Sequence, residues 1–181
     1  QLHRIMCYIN SSLKVTMNAW ISDPFLELKL VLFTDADFAG CKATSKSTSG
    51  VFLVLVGPTT FMPLSAISKR QTCVSHSTPE AELVAADLGV RQEAIPAQIL
   101  MATLNSKESP ILIKEDNTAA IKASETGRNP NMKAMARTHR VDLAFLHECF
   151  NEGIFKIEHC PTFDQAADVF TKAYSSRDNW N

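Results

Sequence analysis

The chain has 181 residues and nearly balanced charge, with 18 Lys and Arg against 19 Asp and Glu. An apolar content of 45% excludes a disordered chain and is enough for one ordinary core, and no apolar run approaches the roughly 20 residues that span a bilayer. Five scattered Cys favour a reducing compartment over a disulfide framework. We therefore expect an intracellular domain with no membrane association. Because the chain begins with Gln1 rather than Met, we also expect a piece of a longer polypeptide.

Hydrophobic periodicity and the positions of Pro and Gly predict ten elements. In chain order they are a helix at 1–20, strands at 28–34, 51–56 and 59–67, a helix at 77–104, a strand at 111–116, helices at 117–124 and 139–151, a strand at 154–159 and a helix at 163–172. The first three strands predict an antiparallel meander. The strands at 28–34 and 111–116 are apolar throughout, which is typical of neighbouring parallel strands at a sheet centre. The pattern predicts an α/β fold, with a five-stranded mixed sheet of three antiparallel strands followed by parallel strands, flanked by helices.

Local signals predict where several elements begin and end. Ser77 followed by Pro79 in the first turn predicts the start of the long helix. Pro96 predicts a kink or break within that helix. Thr138 can cap the helix at 139–151, and the apolar–polar alternation at 154–159 predicts an edge strand.

Two of the predicted strands run into carboxylates. The first is followed by Asp35 and Asp37, and the strand at 111–116 closes with Glu115 and Asp116. Burying an unpaired carboxylate is costly, so we expect Asp35 at the strand's exit, where the sheet opens into a crevice. If the two strands are neighbours, Asp35 and Asp116 lie side by side. The alternative is that Asp35 and Asp37 only begin a turn, as Asp often does.

Two further acids could overlook the same edge of the sheet. Glu82 lies in the first turn of the long helix, and Asp168 lies early in the last predicted helix. Converging carboxylates repel one another unless they bind hard divalent cations. Two such ions about 4 Å apart make a phosphoryl-transfer site that needs no nucleophilic side chain. The Cys and His residues lack the paired spacing of a zinc site, and there is no Gly-rich phosphate loop.

Two segments of the chain are basic and free of acids. Residues 38–79 and 126–141 contain Lys and Arg but neither Asp nor Glu. Such segments could line a polyanion, although solvated surface loops are the alternative.

Several ordered motifs resemble the ribonuclease H domain of copia-type (Ty1/copia) retrotransposon polyproteins, over residues 28–174. The motifs are TDADFAGC at 34–41, STSG at 47–50, SKRQ at 68–71, STPEAE at 77–82, EDNTAAI at 115–121, RTH at 137–139, PT at 161–162 and ADVFTK at 167–172. The chain departs from the family at His139-Arg140, where Lys-His is usual, and at Phe38, where Trp is usual. Neither departure removes a proposed metal ligand.

The resemblance implies a ribonuclease H-like fold and a metal-dependent endonuclease. Its activity would be hydrolysis of the RNA strand of RNA–DNA hybrids during retrotransposon reverse transcription, by a two-metal-ion mechanism with two Mg²⁺, for which Mn²⁺ can substitute. By motif position, four carboxylates would be both catalytic residues and metal ligands: Asp35, Glu82, Asp116 and Asp168. The expected nucleic-acid contacts are Lys42, Lys46, Lys69, Arg70, Ser77, Thr78, Asn117, Arg137 and Arg140.

The resemblance also implies partners, location and domain limits. We expect an RNA–DNA hybrid and the reverse transcriptase domain of the same polyprotein as partners. The expected location is cytoplasmic, in a virus-like particle, and also nuclear. Residues 1–27 would be a helical segment and linker from the end of the reverse transcriptase region, 28–174 the ribonuclease H domain and 175–181 a frayed tail. Two alternatives remain open: a catalytically decayed copy of the fold that supports a polymerase, and a haloacid dehalogenase-type phosphatase with Asp35 as its nucleophile.

Overall fold

The computed structural model describes residues 2–105 and 110–172 and is built on one five-stranded sheet. The strands are β1 (Lys29–Asp37), β2 (Thr48–Val56), β3 (Phe61–Arg70), β4 (Ile111–Glu115) and β5 (Phe155–His159). Their order across the sheet is β3-β2-β1-β4-β5, with β2 antiparallel to both of its neighbours and β4 parallel to both of its neighbours. The predicted mixed sheet is confirmed, including the central parallel pair β1 and β4 and the edge strand β5. The predicted tail at 175–181 lies outside the described residues.

Six α-helices surround the sheet in the described parts of the chain. They are α1 (Leu2–Ser11), α2 (Thr78–Gly89), α3 (Ile95–Asn105), α4 (Thr118–Thr126), α5 (Met135–Thr138) and α6 (Leu143–Asn151). The Ser77 hydroxyl caps α2 by accepting a hydrogen bond from the backbone N–H of Glu80, as predicted. The break predicted near Pro96 is a π-helical turn at Val90–Ala94 that separates α2 from α3. The π turn ends two residues before Pro96, and a local break there is consistent with the missing N–H of that residue.

Three predicted helices are wrong in extent or type. The helix predicted at 1–20 ends at Ser11. The helix predicted from residue 139 begins only at Leu143, because Arg140 has a left-handed φ of 57° and Asp142 supplies the cap. Instead of a helix at 163–172, there are two 3₁₀ turns, Thr162–Asp164 and Ala166–Phe170.

Gln165 explains why the last helix does not form. This residue separates the two 3₁₀ turns with extended backbone, at φ −75° and ψ 95°. Its buried side-chain amide donates hydrogen bonds to the backbone oxygens of Thr34 (3.0 Å) and Lys114 (3.3 Å), which belong to β1 and β4. A tertiary contact with the sheet thus replaces the local helical periodicity and fixes the chain that carries Asp168.

The core lies between the sheet and the helices, and small residues bring α2 close to the sheet. Ala81 and Ala85 are fully buried on α2. A Cβ atom added at Gly89 would lie 3.1 Å from the side chains of Leu32 on β1 and Val51 on β2. The close approach of α2 to β1 and β2 places the first turn of α2 over the end of β1, where the acids lie. By contrast, α1 buries none of its residues. Among the helices of the described chain, none is long and apolar enough to cross a membrane.

Candidate active site

Parallel pairing of β1 and β4 brings two acids to the same end of the sheet. Val31 pairs with Leu112 and Phe33 with Lys114, and the same register continued places Asp35 beside Asp116. The expectation that Asp35 stands at the strand's exit is wrong by two residues. Asp35 pairs with Gly50, and the antiparallel pairing with β2 extends β1 to Asp37. Asp35 is therefore a strand residue, 2% exposed, rather than the start of a turn.

Three of the four predicted carboxylates converge on one point. Asp35, Glu82 and Asp116 each offer an oxygen atom, and these three atoms all lie within 4.8 Å of one another. Glu82 is 3% exposed, and among the described residues no group hydrogen-bonds to its Oε2. A buried carboxylate oxygen without a partner is costly in an apolar surrounding. The carboxylate cluster, which we define as Asp35, Glu82 and Asp116, therefore has the chemistry of a cation site.

Burial and mutual repulsion raise the pKa values of two members of this cluster. For Asp35, burial raises the pKa to about 6, against the opposing effects of a hydrogen bond from the Thr171 hydroxyl and the charge of Lys172. For Glu82, burial and then the charges of Glu115, Asp35 and Asp116 raise the pKa to about 10. Strongly perturbed acids that share a cleft are typical of functional sites.

Asp168 lies at the side of the cluster and is paired with a lysine. Its Oδ1 lies 2.6 Å from the ammonium group of Lys172, four residues further on. The same ammonium lies 3.8 Å from Asp35 Oδ1. Asp168 is close enough for its charge to raise the pKa of Asp35, but it is not one of the three converging ligands. Burial lowers the pKa of Lys172, but the hydrogen bond with Asp168 and the nearby carboxylates outweigh this and raise it overall.

Sequence reasoning did not assign a role to Glu115, a buried acid behind the cluster. Its carboxylate accepts hydrogen bonds from the Thr34 hydroxyl and from the backbone N–H of Asn117, both at 3.1 Å. Burial raises its pKa to about 8, against the opposing effect of these hydrogen bonds. Glu115 thereby braces the turn that carries Asp116, which itself accepts a hydrogen bond from the Thr162 hydroxyl at 3.1 Å. The only signal in the sequence was its place beside Asp116 in the EDN motif.

The predicted nucleic-acid contacts lie around the same end of the sheet. Thr48 pairs with Asp37 on one side and with Arg70 on the other, so Lys69 and Arg70 share this end with the acids. A cleft of about 390 Å³ opens over the cluster, and Thr78, Asn117 and Lys172 line it. All of the predicted contact residues are exposed or partly exposed: Lys42, Lys46, Lys69, Arg70, Ser77, Thr78, Asn117, Arg137 and Arg140. Whether they contact nucleic acid stays a prediction.

The chain is similar to one part of two plant Pol polyproteins. It is 30% identical over 153 residues to the retrovirus-related Pol polyprotein from transposon TNT 1-94 of Nicotiana tabacum, over 83% of this chain and 10% of that protein. It is 28% identical over 149 residues to the Pol polyprotein from transposon RE1 of Arabidopsis thaliana, over 82% of this chain and 10% of that protein. The chain therefore spans about a tenth of the length of these relatives. No protein-family model matches it.

Two solved structures with a similar fold are ribonuclease H proteins. LC11-RNase H1, isolated from compost, has a TM-score of 0.51 at 15% identity, over 79% of this chain and 92% of that one. The PFV RNase H domain has a TM-score of 0.51 at 13% identity, over 80% of this chain and 93% of that one. The chain has the ribonuclease H fold, and the curated proteins that it resembles are copia-type Pol polyproteins. LC11-RNase H1 has also been solved in complex with an RNA/DNA hybrid, with a TM-score of 0.50 to this chain.

In this ribonuclease H fold, the residues present fit a divalent metal. The cluster supplies oxygen ligands only, and they are the donors that hard cations such as Mg²⁺ prefer. A bound cation would give Oε2 of Glu82 a partner, and it would favour the deprotonated form of Asp35, whose pKa is raised in the metal-free protein.

Proposed function

We propose that this domain is a metal-dependent endonuclease that hydrolyses the RNA strand of RNA–DNA hybrids. The observation that carries the proposal is the convergence of Asp35, Glu82 and Asp116 within 4.8 Å, with one buried oxygen lacking a partner, in an open cleft. The fold and the family support it, since a structural neighbour binds an RNA/DNA hybrid. The chain covers about a tenth of the length of these relatives, so an activity of the whole polyproteins is only proposed for this chain.

We propose two Mg²⁺ as cofactors, held by the cluster together with Asp168, with Mn²⁺ as a substitute. When bound, such ions supply an activated water and stabilise the leaving oxygen. Neighbouring side chains of this protein fix the orientation of the ligands. Thr171 donates a hydrogen bond to Asp35, and Thr162 donates one to Asp116, so both carboxylates are oriented before a metal arrives.

Asp168 differs from the other three ligands because Lys172 occupies its carboxylate. For Asp168 to act as a metal ligand, the Lys172 side chain, which is 41% exposed, has to turn towards solvent or towards a phosphate of the substrate. Metal binding at Asp168 would therefore break the ion pair between Asp168 and Lys172.

The substrate would lie across the carboxylate end of the sheet. Lys69 and Arg70 on β3 and the 38–47 loop lie on one side of the cleft, and Thr78 and Asn117 line it. The basic groups would contact phosphates, and the hydroxyls of Ser77 and Thr78 would contact the RNA 2′-hydroxyl. Binding should therefore weaken as salt rises.

The expected context of the domain also remains a proposal. We propose residues 1–27 as the end of a reverse transcriptase region, with that domain as partner, and a location in cytoplasmic virus-like particles and the nucleus. A decayed copy that only supports a polymerase is the second candidate, and the intact set of acids argues against it. The ribonuclease H fold argues against a haloacid dehalogenase-type phosphatase.

A cleavage assay tests the proposal. A hybrid with end-labelled RNA is incubated with the protein in Mg²⁺, in Mn²⁺ and in EDTA, beside RNA and DNA duplexes of the same sequence. We expect internal cuts in the RNA of the hybrid only, with either metal and not in EDTA. Asp35→Asn is the matched control for a contaminating nuclease. A folded wild type that leaves the hybrid intact with both metals would favour the decayed copy.

A further inference from the structure

A second buried acid, Glu80, lies on the opposite side of the first turn of α2 from the cluster and is not one of the three converging ligands. Glu80 is 2% exposed, and its Oε1 lies 3.3 Å from Nε2 of His139, whose side chain is 1% exposed. The other oxygen of Glu80 accepts a hydrogen bond from the backbone N–H of His76 at 2.9 Å. The pair therefore joins the first turn of α2 to the chain between α5 and α6.

Neighbouring hydrogen bonds indicate which nitrogen of His139 carries a proton. Gln71 Nε2 donates to the backbone oxygen of Ala81 at 2.9 Å, which fixes the orientation of the amide. Its Oε1 then accepts the Ser75 hydroxyl proton at 2.9 Å, so the Ser75 oxygen can only accept from His139 Nε2, 3.5 Å away. A proton on Nε2 is consistent with both neighbours of this nitrogen, Ser75 Oγ and Glu80 Oε1.

The Gln71 amide continues this network into the sheet. It also donates to the Ser49 hydroxyl on β2, at 3.0 Å. The network of Glu80, His139, Ser75, Gln71 and Ser49 thus connects β2, α2 and the segment at 137–140. A second tie runs from the Cys73 thiol to the backbone oxygen of Thr138 at 2.7 Å.

His139 lies between two exposed arginines of the acid-free segment. Arg137 lies within the short helix α5, one residue before its end, and Arg140 follows the helix in a left-handed conformation, with φ 57°. Because the His139 ring is anchored under α2, the backbone that presents both arginines is held at a fixed place relative to the first turn of that helix. Glu82, two residues after Glu80, leaves the helix about 200° away from it and faces the metal ligands.

We propose that the Glu80–His139 pair is a positioning device that sets where the RNA–DNA hybrid lies relative to the carboxylate cluster. The inference rests on the proposed function and adds to it a determinant of substrate register. Arg137 and Arg140 contact the phosphates, and the buried pair keeps their distance from Glu82 constant. The pair touches neither substrate nor metal, so its loss displaces the substrate without removing a ligand.

The test uses the whole chain and four variants. His139→Leu removes the donor, His139→Gln keeps an N–H at the position of Nε2, and Glu80→Gln removes the charge of the acceptor. Glu148→Gln, at an exposed site on α6, is the matched control. Hybrid affinity is measured by fluorescence anisotropy in EDTA, and the cleaved bonds and the steady-state constants are measured on end-labelled hybrid in Mg²⁺.

We expect His139→Leu to weaken hybrid affinity about tenfold, because Arg137 and Arg140 lose their fixed position relative to the cluster. KM should rise while kcat changes little, and cuts should spread to neighbouring bonds. His139→Gln should restore the single set of cuts, Glu80→Gln should show the same spread in weaker form, and Glu148→Gln should match the wild type. The distribution of cuts does not depend on the folded fraction, so a destabilised variant is still informative.

Two results would overturn the inference in distinguishable ways. If the wild type cleaves the hybrid, and His139→Leu and Glu80→Gln cut the same bonds with the same affinity, the pair has only a structural role. If the folded wild type neither binds nor cuts the hybrid, the proposed function fails, and the positioning role fails with it.

Discussion

The carboxylate cluster and the Glu80–His139 network lie on opposite sides of the first turn of α2. They differ in whether their buried carboxylate oxygens have partners. Around Glu80, each carboxylate oxygen has a partner, one from His139 and one from the backbone of His76. Around Glu82, three acids face one another, and Oε2 has no partner among the described residues. Both glutamates are about equally buried, so burial alone does not distinguish them.

The difference shows which buried charge is structural and which is functional. A satisfied buried pair contributes order and is costly to break. A cluster of buried carboxylates without partners destabilises the metal-free fold. Such destabilising clusters are typical of sites where a ligand of opposite charge binds.

Removing a ligand from the cluster should abolish activity without harming the fold. Asp35→Asn and Asp116→Asn should each lower hybrid cleavage by at least about 10²-fold, as loss of a preorganised electrostatic group does. The metal-free melting temperature should stay the same or rise, because repulsion is relieved. Calorimetry and the cleavage assay measure the two effects. Asp37→Asn, which changes a carboxylate held against Gly40, is the control and should retain cleavage. Equal loss in Asp37→Asn would remove the assignment of Asp35.

The two glutamates of α2 should respond in opposite senses. Glu82→Gln should abolish cleavage and leave the metal-free protein at least as stable as the wild type. Glu80→Gln should keep kcat near the wild-type value but lower stability by about 1–3 kcal/mol, because it disturbs a buried hydrogen-bonded charge. Urea unfolding and single-turnover cleavage give both numbers. An inactive Glu80→Gln beside an active Glu82→Gln would mean that the roles are reversed.

The stability of the metal-free protein should fall as pH rises. The unfolded chain loses the Asp35 proton near pH 4, whereas the folded protein keeps it to about pH 6, so between these values the folded state binds more protons. The stability that this protonated state contributes, on the order of 3 kcal/mol for Asp35 alone, is therefore lost as the pH rises from 4 to 6. Glu115, whose pKa is raised to about 8, extends the fall to higher pH.

Thermal melts in EDTA across pH 4 to 8 measure this slope, and Asp35→Asn should make it shallower. Mg²⁺ should oppose the fall, since cation binding displaces the same protons. A melting temperature that rises steadily over this range would contradict the raised pKa of Asp35.

The smallest effect should come from Lys172, which partly neutralises the edge of the cluster. Lys172→Met should lower metal-free stability by about 1 kcal/mol, or roughly 2–4 °C, because solvent screens a side chain that is 41% exposed. Mg²⁺ affinity, measured by calorimetric titration, should rise because no ammonium competes for Asp168. Lys156→Met, at an exposed position on β5, is the control. Unchanged affinity in Lys172→Met would show that Lys172 does not compete with the metal.

Parts of the site followed from the sequence because they depend on local patterns. Apolar strands that end in acids predicted the side-by-side Asp35 and Asp116, and the 3.6-residue period separated Glu82 from Glu80. The same period did not reveal that Glu80 is also buried, because its partner His139 lies 59 positions away. The helix predicted around Asp168 failed for a similar reason, since the Gln165 amide bonds to β1 and β4 instead of allowing helical continuation.

By itself, the sequence determined the order of the strands and of most helices, the break near Pro96 and the acids at the ends of β1 and β4, because periodicity, caps and chain-breaking residues act over a few positions. Tertiary structure alone decided that Asp168 is paired with Lys172, that Glu115 braces the turn of Asp116 and that His139 is anchored beneath α2. Each of these depends on a charged or polar group meeting a partner across the fold. The free energy of such a group is set by its burial and its neighbours, which no short stretch of sequence contains.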